Sequence, residues 1–323
     1  MSTSVSAPPM ASAFGGWLFV ALLATLAAVP WFTGSVFHFH IGIMVCLAGM
    51  ATGGLAVIAW VGQLSLAHAA FVGIGAYTSV LLVTRLDLPF LVGLPAAAVV
   101  AGAVAYIIGA PLLRLRGVYF VLITFALNEL FRLVMLEFPG ISGGSSGIAG
   151  VPKIQLFGIT LAAQWQVYIF TLICLAVVMA LLWLIRNGQL GRRFAAVEEN
   201  PALAESSGIP TARTQSLAFV IGCAIAGATG SIMAHYVGFV SPETFAFQLS
   251  VSYVIMLVTG GRLALWGPLV GAVFLTPLPE FLRGAVEYQH IIYGVILIAV
   301  LRFLPQGLAG LPEQIARLRR DQR

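Results

Sequence analysis

The run "GQLSLAHAAFVGIGAY" at residues 62–77 contains three of the few polar side chains that could do chemistry in this apolar chain, namely Gln63, Ser65 and His68. A glycine and polar residues at the start of a span predict a helix that begins irregularly, so its freed backbone groups must face protein or a water-filled cavity. Such a cavity would suit a polar solute that crosses the bundle. The alternative is that Ser65 and His68 hydrogen-bond to neighbouring helices.

A second run, "FALNELFRLVML", contains Asn128, Glu129 and Arg132. The i,i+3 spacing places Glu129 and Arg132 on one helix face, where they can pair. Charges inside a membrane span are costly and usually face the bundle interior or a pathway. These residues are therefore candidates for a translocation path, and a structural pair or an interface is the alternative. Three other polar residues lie near the outer ends of their spans, where solvation would explain them: His235, Glu243 and Glu280.

Enzyme chemistry has little support in this sequence. No G-x-x-x-x-G-K-[ST] motif occurs and the only lysine is Lys153, so phosphate-binding chemistry must come from another chain. The three cysteines lack metal-ligand spacing, and the spans contain no Asp that could form a catalytic pair. An ion-coupled secondary transporter remains an alternative, with Glu129 as its one mid-membrane carboxylate. We expect no metal and no cofactor on this chain.

The composition predicts an all-α, polytopic integral membrane helix bundle. The chain is 60% hydrophobic and only 8% charged, whereas soluble domains are about 45–50% apolar and about 25% charged. A bilayer core needs about 20 apolar residues per helix. On this basis we expect about ten transmembrane helices, centred near residues 24, 51, 74, 100, 127, 174, 226, 251, 273 and 296.

Two patterns describe how these spans are organised. Ridges of small residues at every fourth position predict close helix packing; they contain Ala97, Ala101, Ala105 and Gly109, and Gly222, Ala226, Gly230 and Ala234. The run "GRLALWGPLVGAVF" at residues 261–274 echoes residues 62–73. The echo suggests duplicated halves, a common transporter feature, although five matching positions do not establish a repeat.

Basic residues predict the orientation. We expect a disordered cytoplasmic tail at residues 1–14, a transmembrane domain at 15–305 and a basic cytoplasmic tail at 306–323, with both termini cytoplasmic. The outer side then holds Arg85, Lys153 and Arg283, with Arg132 inside a span. Twelve of the 16 basic residues lie inside, as the positive-inside rule requires: Arg114, Arg116, Arg186, Arg192, Arg193, Arg213, Arg262, Arg302, Arg317, Arg319, Arg320 and Arg323. Topology explains the net charge better than nucleic-acid binding does.

The stretch "RNGQLGRRFAAVEENPALAESSGIP" interrupts the apolar chain at residues 186–210. Asn200 and Pro201 predict an N-cap and first helical residue, and Gly208 a C-terminal cap, which encloses a helix at residues 201–207. A second short helix is expected before it, with Phe194, Ala195 and Val197 apolar among charges. Because isolated helices this short are marginal in water, we interpret residues 186–213 as a docking element for a soluble partner.

Four runs together resemble the LivM-type permeases of branched-chain amino-acid ABC importers, over residues 41–305: "GQLSLAHAAFVGIGAYTSVLL", "LRLRGVYFVLITFALNELFRLV", "SGGSSGI" and "GRRFAAVEENPALAESSGI". The resemblance implies a bacterial inner-membrane permease with a second related permease, two cytoplasmic ABC ATPases that bind ATP and Mg, and an external substrate-binding protein. Relatives that carry urea, short amides or other amino acids are the alternative. On this interpretation the partner ATPases hydrolyse ATP, and this chain has no enzymatic activity of its own.

The resemblance also implies a coupling loop at residues 191–209, where ATPase motion enters the membrane. The residues that match the family pattern are Gly191, Arg192, Arg193, Phe194, Ala195, Glu198, Glu199, Asn200, Pro201, Ala204, Glu205 and Gly208. Two departures occur. The family often has Ala-Glu-Ala before a small residue and Gly, where this chain has Ala204, Glu205, Ser206, Ser207 and Gly208. In the external loop at residues 139–152, Ser142 replaces a threonine, which leaves the substrate open.

Overall fold

Long α-helices dominate the structure, a computed structural model that describes residues 35–115, 117–281, 294–295 and 308. The helices in chain order are α1 Val36–Ala59, α2 His68–Arg85, α3 Phe90–Leu112, α4 Val118–Glu137, α5 Pro139–Ser142, α6 Gln164–Asn187, α7 Gln189–Glu199, α8 Pro201–Ser206, α9 Thr211–Val237, α10 Phe247–Gly260, α11 Gly267–Leu275 and α12 Leu278–Phe281. Two 3-10 turns lie at Gly144–Ser146 and Pro242–Phe245. The short strands are β1 Ile148–Ala149, β2 Gln155–Leu156, β3 Ile159–Thr160 and β4 Phe239–Val240.

Six helical segments in the described part of the chain are long and apolar enough to cross a membrane: α1, α3, α4, α6, α9 and Pro242–Gly260, which includes α10. The all-α membrane bundle is thereby confirmed, whereas the count of about ten is not. Of the other expected spans, those near residues 74 and 273 contain α2 and α11, which are not among the six. At 1.5 Å per residue, the nine residues of α11 extend only about 14 Å. The spans near residues 24 and 296, and both tails, lie outside the described residues.

Large apolar side chains cover the outer faces of α3, α4 and α6. Tyr106 on α3 is 67% exposed, Tyr119 on α4 is 73% exposed and Val177 on α6 is 63% exposed. Soluble monomers rarely expose contiguous apolar surface on this scale. These faces therefore fit lipid or another membrane chain.

Helix α9 lies at the centre, against α1, α2 and α3. A Cβ placed on Gly227 would lie 2.5 Å from Ala101 Cβ and 2.6 Å from the carbonyl oxygen of Ala97, so the two helix backbones nearly touch. Such close approach gives the van der Waals contact on which helix association in a membrane depends. Both predicted ridges are buried along their whole length: Ala97, Ala101, Ala105, Gly109, Gly222, Ala226, Gly230 and Ala234.

The segment at residues 139–152 is tied to the C-terminal end of α9. β1 pairs antiparallel with β4, with Ile148 opposite Val240. Ser142 is fully buried, and its hydroxyl donates to the carbonyl of Phe138 at 3.1 Å and accepts from the amide of Gly144 at 2.9 Å. The hydroxyl that serine shares with threonine therefore holds the turn after α4, so this departure from the family pattern has a structural explanation.

His235 is buried, in contrast to the solvated position expected from the sequence. Its Nδ1 donates to the carbonyl of Pro152 at 2.7 Å. Its Nε2 consequently accepts from the hydroxyl of Ser79 at 3.0 Å, and Ser79 in turn accepts from Ser231 at 2.8 Å. The ring therefore links the segment at residues 139–152 to α2 and α9.

We expect Gly227→Ala to lower the free energy of unfolding by about 1–3 kcal/mol, because the added methyl group must separate α9 from α3. The apparent unfolding temperature of the detergent-solubilised protein measures the effect. Gly140→Ala is the control, since a Cβ at Gly140 meets nothing within 4 Å. Equal unfolding temperatures for the two variants would contradict the close-packing argument.

Candidate functional site

The chain between α1 and α2 is irregular, as the sequence predicts. α1 ends at Ala59, Gly62 adopts a positive φ of 79°, and α2 begins only at His68. Ala67 occupies the N-cap position and has no side-chain hydrogen bond to offer. The first backbone N–H groups of α2 therefore need acceptors from elsewhere in the bundle.

Helix α4 supplies an acceptor for one of these groups and another for the residue just before the N-cap. The Thr124 hydroxyl accepts from the amide of Leu66 at 3.0 Å, and Asn128 Oδ1 accepts from the amide of Ala70 at 2.9 Å. The Asn128 Nδ2 group donates to the carbonyl of Phe245 at 3.2 Å. Asn128 thus holds the start of α2 and the turn before α10 together, rather than pointing into open space.

Two serines complete the cap. Ser250 on α10 accepts from the amide of Ala69 at 2.9 Å, and Ser65 accepts from the amide of Ala67 at 3.2 Å. Both serines are fully buried. Thr124 and Ser250 were not among the sequence candidates. Each is an isolated hydroxyl residue in an apolar span, and nothing in the neighbouring sequence predicts its hydrogen-bond partner.

His68 and Gln63 are also buried. The Nε2 of His68 donates to the carbonyl of Ala51 on α1 at 2.8 Å, and its ring meets Tyr253 edge-on at 6.0 Å between centroids. Of the six path candidates, Ser65, His68 and Asn128 therefore surround the break before α2 and bond to protein groups. For these three residues the geometry favours the structural alternative.

The predicted Glu129–Arg132 pair is present and belongs to a larger ionic cluster. Arg132 Nε lies 2.9 Å from Glu129 Oε2, and Arg132 Nη1 lies 2.7 Å from Glu243 Oε1. The side chains of Arg132 and Glu129 are 24% and 28% exposed, and that of Glu243 is 59% exposed. Glu243 is therefore paired as well as partly solvated, and the cluster lies at the surface of α4.

The polar segment forms two helices, as predicted, and α7 is anchored by one face. Phe194 and Val197 are buried, and Gly191 packs so closely on the end of α6 that a Cβ there would overlap the carbonyl oxygen of Arg186. Ala195, expected on the apolar face, is exposed, and Ala196 is half-buried in its place. The i,i+3 spacing of Gly191, Phe194 and Val197 explains the difference, since it selects a single face.

Helix α8 ends one residue earlier than predicted and has both predicted caps. Asn200 Oδ1 accepts from the amides of Ala202 and Leu203, each at 3.1 Å. Beyond the helix, Gly208 has a φ of 82°. The amides of Gly208 and Ile209 donate to the carbonyls of Glu205 and Ala204, each at 3.0 Å, which is a Schellman motif. Local chemistry thus holds α8 in a defined shape.

The outward face of this segment is free for contact. Within the described residues, four of its exposed charged side chains make no ion pair: Arg192, Arg193, Glu199 and Glu205. Pro201 is half-buried and Ala204 is buried against the bundle, whereas Leu203 projects outward with 64% of its surface exposed. Glu198 differs from the other acids because it lies 2.9 Å from Arg262 of the same chain.

Comparison with known proteins places this architecture in a family. Residues 37–301 match the family described as branched-chain amino acid transport system, permease component. The chain belongs to this family. The permease is 30% identical over 328 residues to the high-affinity branched-chain amino acid transport system permease protein LivM of Salmonella typhimurium, which covers 94% of this chain and 77% of the relative.

Two other relatives match shorter parts of the permease. The high-affinity branched-chain amino acid transport system permease protein LivH of Escherichia coli is 32% identical over 138 residues, 42% of this chain and 44% of its own. The autoinducer 2 import system permease protein LsrC of Klebsiella pneumoniae is 30% identical over 183 residues, 53% of this chain and 51% of its own. No solved structure matches the permease.

The cap at the start of α2 yields a test. We expect Ser250→Ala to lower the free energy of unfolding of the permease by about 1–3 kcal/mol, because the buried amide of Ala69 loses its acceptor. Thermal unfolding in detergent measures the loss. Ser252→Ala is the matched control on the same helix, since Ser252 bonds only to the carbonyl of Gln248 one turn away. A Ser250→Ala variant as stable as the control would refute the cap.

Proposed function

We propose that the permease is one of two related membrane subunits of an ATP-driven importer for branched-chain amino acids in a bacterial inner membrane. Two cytoplasmic ATPases, which bind ATP and Mg, and an external substrate-binding protein complete the importer. This chain then carries no cofactor and hydrolyses nothing itself. The observation that carries the proposal is the capped, outward-facing α7–α8 segment in a chain of the branched-chain amino acid permease family.

The orientation follows from connecting the helices in order. With residues 186–213 in the cytoplasm, the α1–α2 break and the connection between α10 and α11 lie on the same side as α7 and α8. Two contacts support this arrangement. The guanidinium of Arg186 lies 5.0 Å from the ring centroid of Trp60 at the end of α1, and Glu198 bonds to Arg262 after α10. We also propose that both termini are cytoplasmic, where a total of ten spans would place them.

The surface of α4 is the proposed border of the translocation path. Charged side chains on a span are costly in lipid and usually face water or protein. The cluster of Arg132, Glu129 and Glu243 therefore favours a position for this face against the path or the second permease. Gln63, Ser65, His68 and Asn128 would support the path from behind, by holding the start of α2.

The mechanism assigns a role to each part. Closure of the ATPase pair on ATP would displace α7 and α8, and the bundle would shift between outward-facing and inward-facing states. The ATPases change the populations of these two states because they bind them with different affinities. Phe194 and Val197 anchor α7 in the bundle, so a push on the exposed face reaches α6 and α9.

The direct test is uptake by the importer. We expect the tagged permease to co-purify from its native membrane with two ATPases and a second permease. After reconstitution in vesicles with the external binding protein, radiolabelled leucine should enter only when MgATP is supplied. Uptake should persist when the proton gradient is collapsed.

The same vesicles decide between the alternatives. Uptake driven by an ion gradient, with no ATPase recovered, would identify a secondary transporter instead. ATP-dependent uptake of urea, acetamide or another amino acid, without leucine, would keep the importer and overturn its proposed cargo.

The docking surface gives a separate prediction. We expect Leu203→Glu to abolish recovery of the ATPases, because loss of a central apolar anchor in an interface costs about 2 kcal/mol or more. Ile159→Glu is the matched control: Ile159 is 66% exposed, against 64% for Leu203, and lies beyond the opposite end of α6. Both variants should unfold at the wild-type temperature. Full recovery of the ATPases with Leu203→Glu would exclude this residue from the interface.

A further inference from the structure

The breaks between helices on the side of α7 share a backbone pattern. We call residues 62–67 the first break and residues 261–266 the second break. Each begins with a glycine of positive φ, 79° at Gly62 and 112° at Gly261. In each the next helix starts six positions later, at His68 and at Gly267. The echo between the two runs in the sequence thus corresponds to two breaks that each begin with a glycine of positive φ, although their hydrogen bonds differ.

Both breaks meet one residue of α7. Arg262 in the second break donates from Nη2 to Glu198 Oε1 at 2.9 Å. A Cβ placed on Gly62 in the first break would lie 3.7 Å from both Cα and Cγ of Glu198. Glu198 therefore lies close to both breaks, with its carboxylate bonded to Arg262 of the second break and near enough to Arg186 at the end of α6 to interact with that charge.

An ion pair joins the second break to α7. The side chain of Arg262 is 46% exposed and that of Glu198 is 25% exposed, and ion pairs this exposed add little to stability. Arg262–Glu198 is also the one salt bridge between α7 and the rest of the described chain. The pair therefore contributes a directional contact between α7 and the second break rather than much stability.

The second break is connected through α10 to the hydrogen bonds at the start of α2. It follows α10, which ends at Gly260 and carries Ser250. Ser250 accepts from the amide of Ala69 and donates to Asn128 at 3.4 Å. A displacement of α7 that moves the second break would thus act on α10 and, through Ser250, on α2 and α4.

We propose that Glu198 is a positioning residue that transmits movement of α7 to the second break through Arg262, and so to α10. This inference rests on the proposed function, in which the ATPases displace α7. It gives Glu198 a role within the permease, where the other exposed acids of the segment are left to face the ATPases.

The test compares leucine uptake with ATP hydrolysis in the reconstituted importer. For Glu198→Gln and for Arg262→Gln we expect about a two- to five-fold fall in leucine moved per ATP, the effect of one partly exposed ion pair on an equilibrium. ATP hydrolysis and the unfolding temperature should stay near wild type. Arg262→Lys, which keeps the charge, should recover most of the ratio.

The most discriminating measurement uses the double variant of Glu198 and Arg262. Because each change removes the same interaction, Glu198→Gln combined with Arg262→Gln should have the ratio of either single variant. The controls are Arg114→Gln and Glu137→Gln, which alter exposed charges without an ion pair among the described residues. Both should keep the wild-type ratio.

Two results would overturn the inference. Uptake and hydrolysis that fall together, with a lower unfolding temperature, would show a merely structural pair. Losses that multiply in the double variant would show that the two residues act separately. Wild-type vesicles that hydrolyse ATP but move no leucine would instead overturn the proposed cargo, which separates that failure from failure of the Glu198 link.

Discussion

The structure depends most on how the backbone N–H groups at the start of α2 are satisfied inside an apolar bundle. Without water, each unpaired group would cost several kcal/mol. The chain solves this with side chains from α4 and α10 that reach across to Leu66, Ala69 and Ala70. Three helices that are distant in sequence must therefore keep one relative position, and the polar residues at this depth serve that purpose first.

Around this cap, two kinds of contact hold the bundle. α9 contacts α1, α2 and α3 through small residues, with helix backbones so close that one added methyl group would collide. α4 and α10 are joined to α2 by hydrogen bonds from Asn128 and Ser250, and α4 also packs on α2 closely, since a Cβ on Gly73 would lie 2.6 Å from Cε1 of Phe131. Close packing and long-range hydrogen bonds therefore act together to hold α2 in place.

The charged segment that contains α7 and α8 has an apolar inner face and a polar outer face. Its inner face, with Phe194 and Val197, is as apolar and as buried as the rest of the bundle, while its outer face keeps charges and Leu203 in solvent. Caps at Asn200 and Gly208 let a six-residue helix keep its shape there. This two-faced structure is the basis of the proposed coupling role, in which the outer face meets the ATPases and the inner face meets α6 and α9.

Local features of this protein could be predicted from the sequence because their partners are chain neighbours. Apolar run length predicts helices, the i,i+3 spacing of Glu129 and Arg132 predicts their pair, and Asn200, Pro201 and Gly208 predict the bounds of α8 within a residue. The motif of the polar segment, together with the three other sequence runs, also indicates the family, which the match over residues 37–301 confirms.

Tertiary structure decided everything that joins distant residues. Ser250 bonds to Ala69, 181 residues away in the sequence, and Arg262 bonds to Glu198, 64 residues away. No periodicity in the sequence predicts either pairing. From the sequence, His235 is expected to be solvated at the end of a span, whereas in the fold it is hydrogen-bonded to Ser79 and to the carbonyl of Pro152. The helix pattern shows which faces are apolar, but which polar groups meet depends on how helices distant in the sequence pack together, as α2, α4 and α10 do at Asn128 and Ser250.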